Sequence, residues 1–295
     1  MKKLAPLLII LAGCLWGTMG LFVRHLNAMG LNAMEIVETR SILAALILFP
    51  CTALKRPALL KLRRGNLWPL IGSGILSIVF FNYCYFTTIA RMNLSAAAIL
   101  LYTSPIFVML MSLIFFHEKL TAQKLLALLL AFSGCCLVSG IASAAASVSA
   151  GGILLGLGSG FGYALYSIFS RVSLNQGLQS ITITNYTFLF AAIGGAVFTD
   201  FGQIAAALSQ HGLPLLGFLL LYCIVTTVLP YLLYTTGLSR VENGPASVMA
   251  SIEPVTATLL GFLVFSETPT PAALVGMVLV LTALILLSIE TRKEG

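Results

Sequence analysis

Charge is scarce in this sequence. Asp, Glu, Lys and Arg make up only 8% of its 295 residues, where a soluble domain carries about 25%. From Leu125 to Ser170 there is no charged residue at all. Such a chain cannot clothe a water-exposed surface, which excludes an ordinary soluble protein. Long polar stretches are missing as well. The largest, Lys55 to Asn66, is a short basic loop, so no separate soluble domain fits between the apolar runs. Histidine is limited to His25, His117 and His211, at the ends of apolar runs or between them. The six cysteines (Cys14, Cys51, Cys84, Cys135, Cys136 and Cys223) lie in or at the ends of apolar runs, with no metal-ligand spacing. They read as small buried hydrophobes, not as a disulfide framework. No paired base and nucleophile, metal-ligand set or ATP-binding motif is present. Gly156, Gly158, Gly160 and Gly162 alternate, but they follow no expected strand and lack the spacing of a dinucleotide-binding turn. Enzymatic activity, a metal and a cofactor are therefore not expected.

What the sequence does have is apolar runs, since 59% of its residues are hydrophobic. A continuous run of roughly 18 or more residues is long enough to cross a bilayer as a helix. Ten such spans are expected, at 4–23, 33–54, 67–90, 93–116, 122–142, 152–171, 181–200, 213–236, 243–266 and 271–289. The runs are continuous instead of alternating, which favours helices over a β-barrel. The fold class expected is thus an all-α membrane protein. Gly152, Gly156 and Gly160 fall on one face of span six, a pattern for close helix packing.

The net charge of +7 is not a nucleic-acid footprint, because it is distributed by side. With a cytoplasmic N-terminus, 13 of the 16 Lys and Arg fall in the inner loops and tails, from Lys2 and Lys3 through the Lys55–Arg64 loop to Arg292 and Lys293. Arg24 and Arg91 fall outside, and Arg40 lies just within span two. This is the positive-inside pattern. It places both termini in the cytoplasm, the loop at 142–150 outside, and the chain in a plasma membrane of the bacterial inner-membrane type. Leu11-Ala12-Gly13-Cys14 looks like a lipoprotein cleavage site, but the apolar run continues past it to Val23. Removing that run would leave nine spans and invert the charge bias.

The chain also repeats itself. Arg91–Thr121 aligns without a gap on Arg240–Thr270 at an offset of 149. Seven of the 31 pairs are identical, among them Pro105/Pro254, Glu118/Glu267 and Thr121/Thr270. Each copy sits in a half of five spans, 1–145 and 146–295. An odd span number turns the second half upside down relative to the first, and inverted repeats of this kind mark secondary transporters.

Polar residues inside the spans give the candidate site. Glu253 lies near the centre of span nine, where a charge costs at least ~2.5 kcal/mol on insertion scales, so it must face protein or water. Pro254 follows it, and Pro105 holds the matching place in span four. Each lacks an N–H and clashes with the carbonyl four residues back, so both helices should break at the same depth. Ser104 stands where symmetry would put a second Glu253. Glu35, Glu38 and Arg40 open span two. The acids share a face, with Glu35 expected as a solvated helix start, while Arg40 is deep enough to need a partner. Tyr163 and Tyr166 share a face of span six, and Tyr231 and Tyr234 a face of span eight. Their repeat equivalents in span three are Asn82 and Tyr85, and Trp16 and Tyr102 lie in spans one and four. Packing is one reading of these aromatic side chains. The other is a cavity which, with a carboxylate, suits an organic amine.

These elements resemble the drug/metabolite transporter superfamily, and within it the EamA-type transporters. The resemblance rests on Trp16-Gly17, Arg40, Pro105 with Glu118-Lys119-Leu120-Thr121, and Pro254 with Glu267-Thr268-Pro269-Thr270, and covers nearly the whole chain. It implies ten helices in two inverted five-helix repeats, alternating access around a central cavity, and a small-molecule substrate. The favoured substrate is an amino acid or similar amine-bearing metabolite, moved outward, with protons as a candidate coupling ion. The alternatives are an organic-cation or drug transporter working in either direction and, outside transport, a membrane-embedded enzyme or a passive channel. Thr121 and Thr270 are expected to cap the helices that follow them, and Glu118 and Glu267 to be structural. Oligomeric state is not legible.

Overall fold

The computed structural model describes residues 4–140 and 149–293. Lys2, Lys3 and most of the 142–150 loop lie outside the described residues, and nothing follows for the side chains of Arg292 and Lys293. Every regular element among the described residues is helical. Among the described residues, nine helical segments are long and apolar enough to cross a membrane, and a shorter tenth runs from Ala122 to Val138. The chain is a multi-pass α-helical membrane protein with the expected ten-helix, two-repeat plan.

The first span is α1 (Ala5–Gly17) and α2 (Met19–Ala28), continuous through the Leu11–Cys14 stretch except for a bend at Thr18. The second is α3 (Ala33–Lys55). It starts in a capping box: the Asn32 side chain accepts from Met34 N and Glu35 N, and the Glu35 carboxylate accepts from Asn32 N at 2.8 Å. Glu35 is thus a helix start, as expected, but a fully buried one instead of a solvated one. The third span joins α4 (Arg64–Ile71) to α5 (Phe80–Arg91) through a π-helical segment, Gly72–Val79. The fourth is split into α6 (Leu94–Leu101) and α7 (Ser104–Phe115), and the fifth is α8 (Ala122–Val138).

The second half follows the same plan. It has α9 (Ala150–Asn175) and α10 (Ser180–Gly195), then α11 (Phe201–Cys223) continuing through π-helical Ile224–Val228 into α12 (Leu229–Leu238). The ninth span is again split, into α13 (Asn243–Ala250) and α14 (Glu253–Phe265), and α15 (Pro271–Lys293) is the tenth. Thr121 and Thr270 each accept from the backbone N–H three residues on, capping α8 and α15 as their sequence positions suggest.

One element differs from expectation. Phe201 to His211, expected as a loop, is helical and turns into the eighth span at Gly212, whose φ of 61° only glycine adopts easily. Its Ile204 and Ala207 pack on Leu26, Leu31 and Ile36. It is an amphipathic lid over one end of spans one and two, held by Gln203 donating to Gly30 O at 2.6 Å.

Small residues set the helix distances. A Cβ on Gly156 would come within 2.3 Å of Leu100, and one on Gly160 within 2.6 Å of Thr103. The glycine face of α9 therefore packs against the broken span four, the close-packing role its spacing suggests. Gly13 and Gly17 of α1 do the same for the other broken span, against Ala250 O and Glu253 O. A large hydrophobic core continues through the bundle centre, while Leu7, Leu46, Leu154, Leu263 and Val278 face outward as a lipid surface.

Candidate functional site

The two split helices break at the same register. Tyr102 (φ −72°, ψ 3°) ends α6, and Ser251 (φ −66°, ψ 5°), 149 residues later, ends α13. Pro105 and Pro254 sit in the first turn of the helices that resume, where a missing N–H does least harm. The sequence thus produces two matched interruptions with Ser104 at one and Glu253 at the other.

Around these interruptions lies a narrow cavity of about 20 Å³. Its walls include Trp16, Tyr163, Tyr166, Tyr231 and Tyr234, five of the eleven binding or coupling candidates named from sequence. Trp16 stands at the hub, its ring centroid 6.2 Å from that of Tyr163, 5.2 Å from Tyr231 and 5.4 Å from Tyr234. Two hydroxyl pairs hold the tyrosines: Tyr166 with Thr235 at 2.8 Å and Tyr234 with Ser167 at 2.7 Å. A second, smaller cavity holds Tyr102, Ser251 and Glu253, and the two share Ser104, Tyr163, Ser247 and Ala250. Tyr163 Oη donates to Glu253 Oε2 at 3.5 Å, the long limit of a hydrogen bond. Space on this scale holds about one water, so a substrate must part the helices to enter.

The remaining candidates stand off the cavity walls. Tyr85 packs on Phe81, whose ring in turn meets Tyr163, so it is one ring removed. Asn82 donates to Ile78 O at 2.7 Å within its own helix. The aromatic wall is therefore asymmetric: Tyr231 and Tyr234 line it, and their repeat equivalents do not. Glu38 is 1% exposed, and neither of its oxygens has a hydrogen-bond partner among the described residues. It faces Gly195, where any Cβ would lie 2.2 Å from its Oε2. Arg40, also 1% exposed, has the partners its depth calls for in a thioether, with Nη1 3.7 Å from Met19 Sδ, and in the Tyr222 hydroxyl.

Sequence reasoning missed Ser77, Ile78, Phe81, Ser167 and Ser247 as cavity residues. Ser77 sits in the π-helical segment of span three, and the segment in span eight covers the repeat-equivalent stretch. Such segments recur at functional sites, but an apolar run gives no periodicity cue for them. Trp16 Nε1 and Ser77 Oγ are buried donors without partners among the described residues. Two unspent donors, a carboxylate and an aromatic wall can hold a small zwitterion or a cation.

Comparison with known proteins agrees with this architecture. The EamA-like transporter family matches the chain twice, over residues 3–140 and 150–289. An uncharacterised transporter of Archaeoglobus fulgidus is 26% identical over 286 residues, covering 94% of each chain. The pseudopaline exporter CntI of Pseudomonas aeruginosa is 29% identical over 309 residues, covering 99% of this chain and 98% of its own. The threonine/homoserine exporter RhtA of Escherichia coli is 25% identical over 265 residues, covering 90% of this chain and 84% of its own. A crystal structure at 17% identity superposes with a TM-score of 0.77 over 98% of both chains, a likeness of fold.

Proposed function

The chain belongs to the EamA-like transporter family, and we propose that it exports a small amine-bearing metabolite, an amino acid or close relative, by alternating access. The family is one of transporters, not enzymes. The observation that carries the reading is the Trp16-centred aromatic cavity, which adjoins Glu253 at the paired helix breaks. An ammonium group gains from the faces of Trp16, Tyr163 and Tyr231 and from the Glu253 carboxylate. A substrate carboxylate finds the Trp16 Nε1–H and Ser77 hydroxyl donors. Export and an amino-acid-like substrate are supported by the relative that exports threonine and homoserine.

With no ATP-binding motif in the sequence, any energy input comes from a gradient or a partner, and the reading favoured here is a gradient. Glu253 is the group that can couple it, by holding a proton in one half-cycle and the substrate amine in the other. The site then binds one cation at a time, and the fluxes run in opposite directions. The charge bias of the loops supports cytoplasmic termini and insertion in a bacterial inner membrane.

The test is saturable counterflow by the purified protein in liposomes, with amino acids and quaternary amines in one panel. Transport of zwitterionic amino acids in preference to quaternary amines supports the reading. The reverse preference favours an organic-cation or drug transporter, for which the aromatic walls alone suffice. Non-saturable flux would indicate a channel.

A further inference from the structure

Glu118 and Glu267 are repeat equivalents, yet they are differently engaged. At the end of α7, Glu118 reaches across to the start of α13. Its Oε1 accepts from Asn243 N at 2.8 Å and its Oε2 from Gly244 N at 3.1 Å. Those amides are the unsatisfied first donors of a helix, and a carboxylate is the partner that the helix dipole favours there. By symmetry Glu267 should reach the first amides of α6, at Leu94 and Ser95. Instead it pairs with Arg24 at 2.7 Å, with both side chains more than half exposed.

The helices follow their caps. All eight residues of α13 are buried, and α13 packs along α7. In α6 only Ala96, Ala97 and Leu101 are buried, Leu94 is 61% exposed, and α6 makes no comparable contact with α14. More bonds secure the Glu118 end. Arg171 Nε donates to Asn243 Oδ1 at 2.8 Å, Arg171 also bonds Val241 O, and Lys124 pairs with Glu242. The approach to the cavity is sealed at the α13 end and looser at the α6 end.

We propose that Glu118 and Glu267 are the two latches of the transport cycle, each capping the broken helix of the opposite repeat in one end state. In the state seen here Glu118 holds α13 shut. In the opposite state Glu118 releases Asn243 and Gly244, and Glu267 leaves Arg24 to cap Leu94 and Ser95. The inverted repeat makes the two states mirror each other, so one carboxylate is engaged while the other is idle. The Arg24 pair suits an idle position: exposed pairs of this kind hold weakly and are screened by salt. The Glu118 bonds are charge-assisted and part-buried, and so stronger. Both glutamates act through a helix, without touching substrate.

The inference rests on the alternating-access reading, but its test needs no substrate. Ser247 lies one turn behind the Glu118 latch and lines both cavities. In full-length protein in oriented vesicles, the Ser247→Cys thiol is labelled by a membrane-impermeant reagent from the face that bears Glu118. Labelling is counted over the same protein with Ser247 intact. Glu118→Gln should raise the rate at least fivefold, and Glu267→Gln should lower it or leave it at the slow basal level. Glu118→Asp, whose carboxylate stays charged, should fall between wild type and Glu118→Gln. Equal rates in the Glu118 and Glu267 variants, or shifts in the same direction, overturn the proposal. If Glu118→Gln does not fold, Asn243→Pro, which removes one latched N–H, must give the same rise or the proposal fails. Sidedness without any substrate flux would leave the latches standing and sink the proposed substrate class alone.

Discussion

His117 and Ser266, 149 residues apart, both turn left-handed, at φ 55° and 56°. Each ends a broken span, and in each case the next residue's N–H folds back six residues: Glu118 N to Ser112 O and Glu267 N to Gly261 O, both at 3.2 Å. The repeat is thus written into the backbone at positions where neither residue type is shared. This paired turn is what aims the two glutamates.

Left-handed backbone costs a residue with a Cβ roughly 1–2 kcal/mol. Both positions are exposed. Replacing His117 or Ser266 by Gly should therefore raise the thermal midpoint in detergent by about 1–3 °C, after the larger unfolded-state entropy of glycine is set against the gain. Replacement by Val should lower it by more. A Val variant as stable as the Gly variant would show that the turn carries no strain.

The sidedness of the loops is testable at Ala58, which is exposed in the basic Lys55–Asn66 segment. Ala58→Cys should react with an impermeant thiol reagent only after the cells are opened. Rapid labelling in intact cells would reverse the topology.

The cavity wall predicts a contrast between two conservative changes. Trp16→Phe keeps an aromatic ring at the hub but removes the Nε1 donor. It should raise KM several-fold, with expression and thermal midpoint near wild type. Tyr83→Phe, at a ring 43% exposed on the lipid side, should change neither KM nor rate. Equal effects at the two positions would remove the cavity's claim to be the binding site.

Much of this protein is legible in its sequence, for physical reasons that differ by element. Span positions follow from length and apolarity alone, and the breaks at Tyr102 and Ser251 from the missing N–H of Pro105 and Pro254. The glycine face of α9 announces close packing because Gly156 and Gly160 are spaced for one helix side. The limit is reached where depth along the chain says nothing of direction around a helix. Tyr85 and Tyr234 are repeat equivalents, yet only Tyr234 meets the cavity. Arg40 sits deep as expected and Glu38, whose depth the sequence left open, is equally buried, but both stand away from the cavity, Glu38 against Gly195 and Arg40 against Met19 and Tyr222. The lid of Phe201–His211 was hidden because a short amphipathic helix beside a glycine and a proline reads as a loop.

The central claim is that Glu253 carries the proton and the substrate amine in turn. Glu253→Gln keeps the side-chain shape and an acceptor for Tyr163, so the protein should fold and expose Ser247 as before. The decisive measurement is pH-gradient-driven transport by purified Glu253→Gln protein in liposomes, beside Glu267→Gln. The account predicts that Glu253→Gln abolishes the gradient response or leaves a flux without pH dependence, while Glu267→Gln slows transport but keeps its pH profile. Wild-type rate and an unchanged pH profile in Glu253→Gln would contradict it and reduce Glu253 to a structural partner of Tyr163.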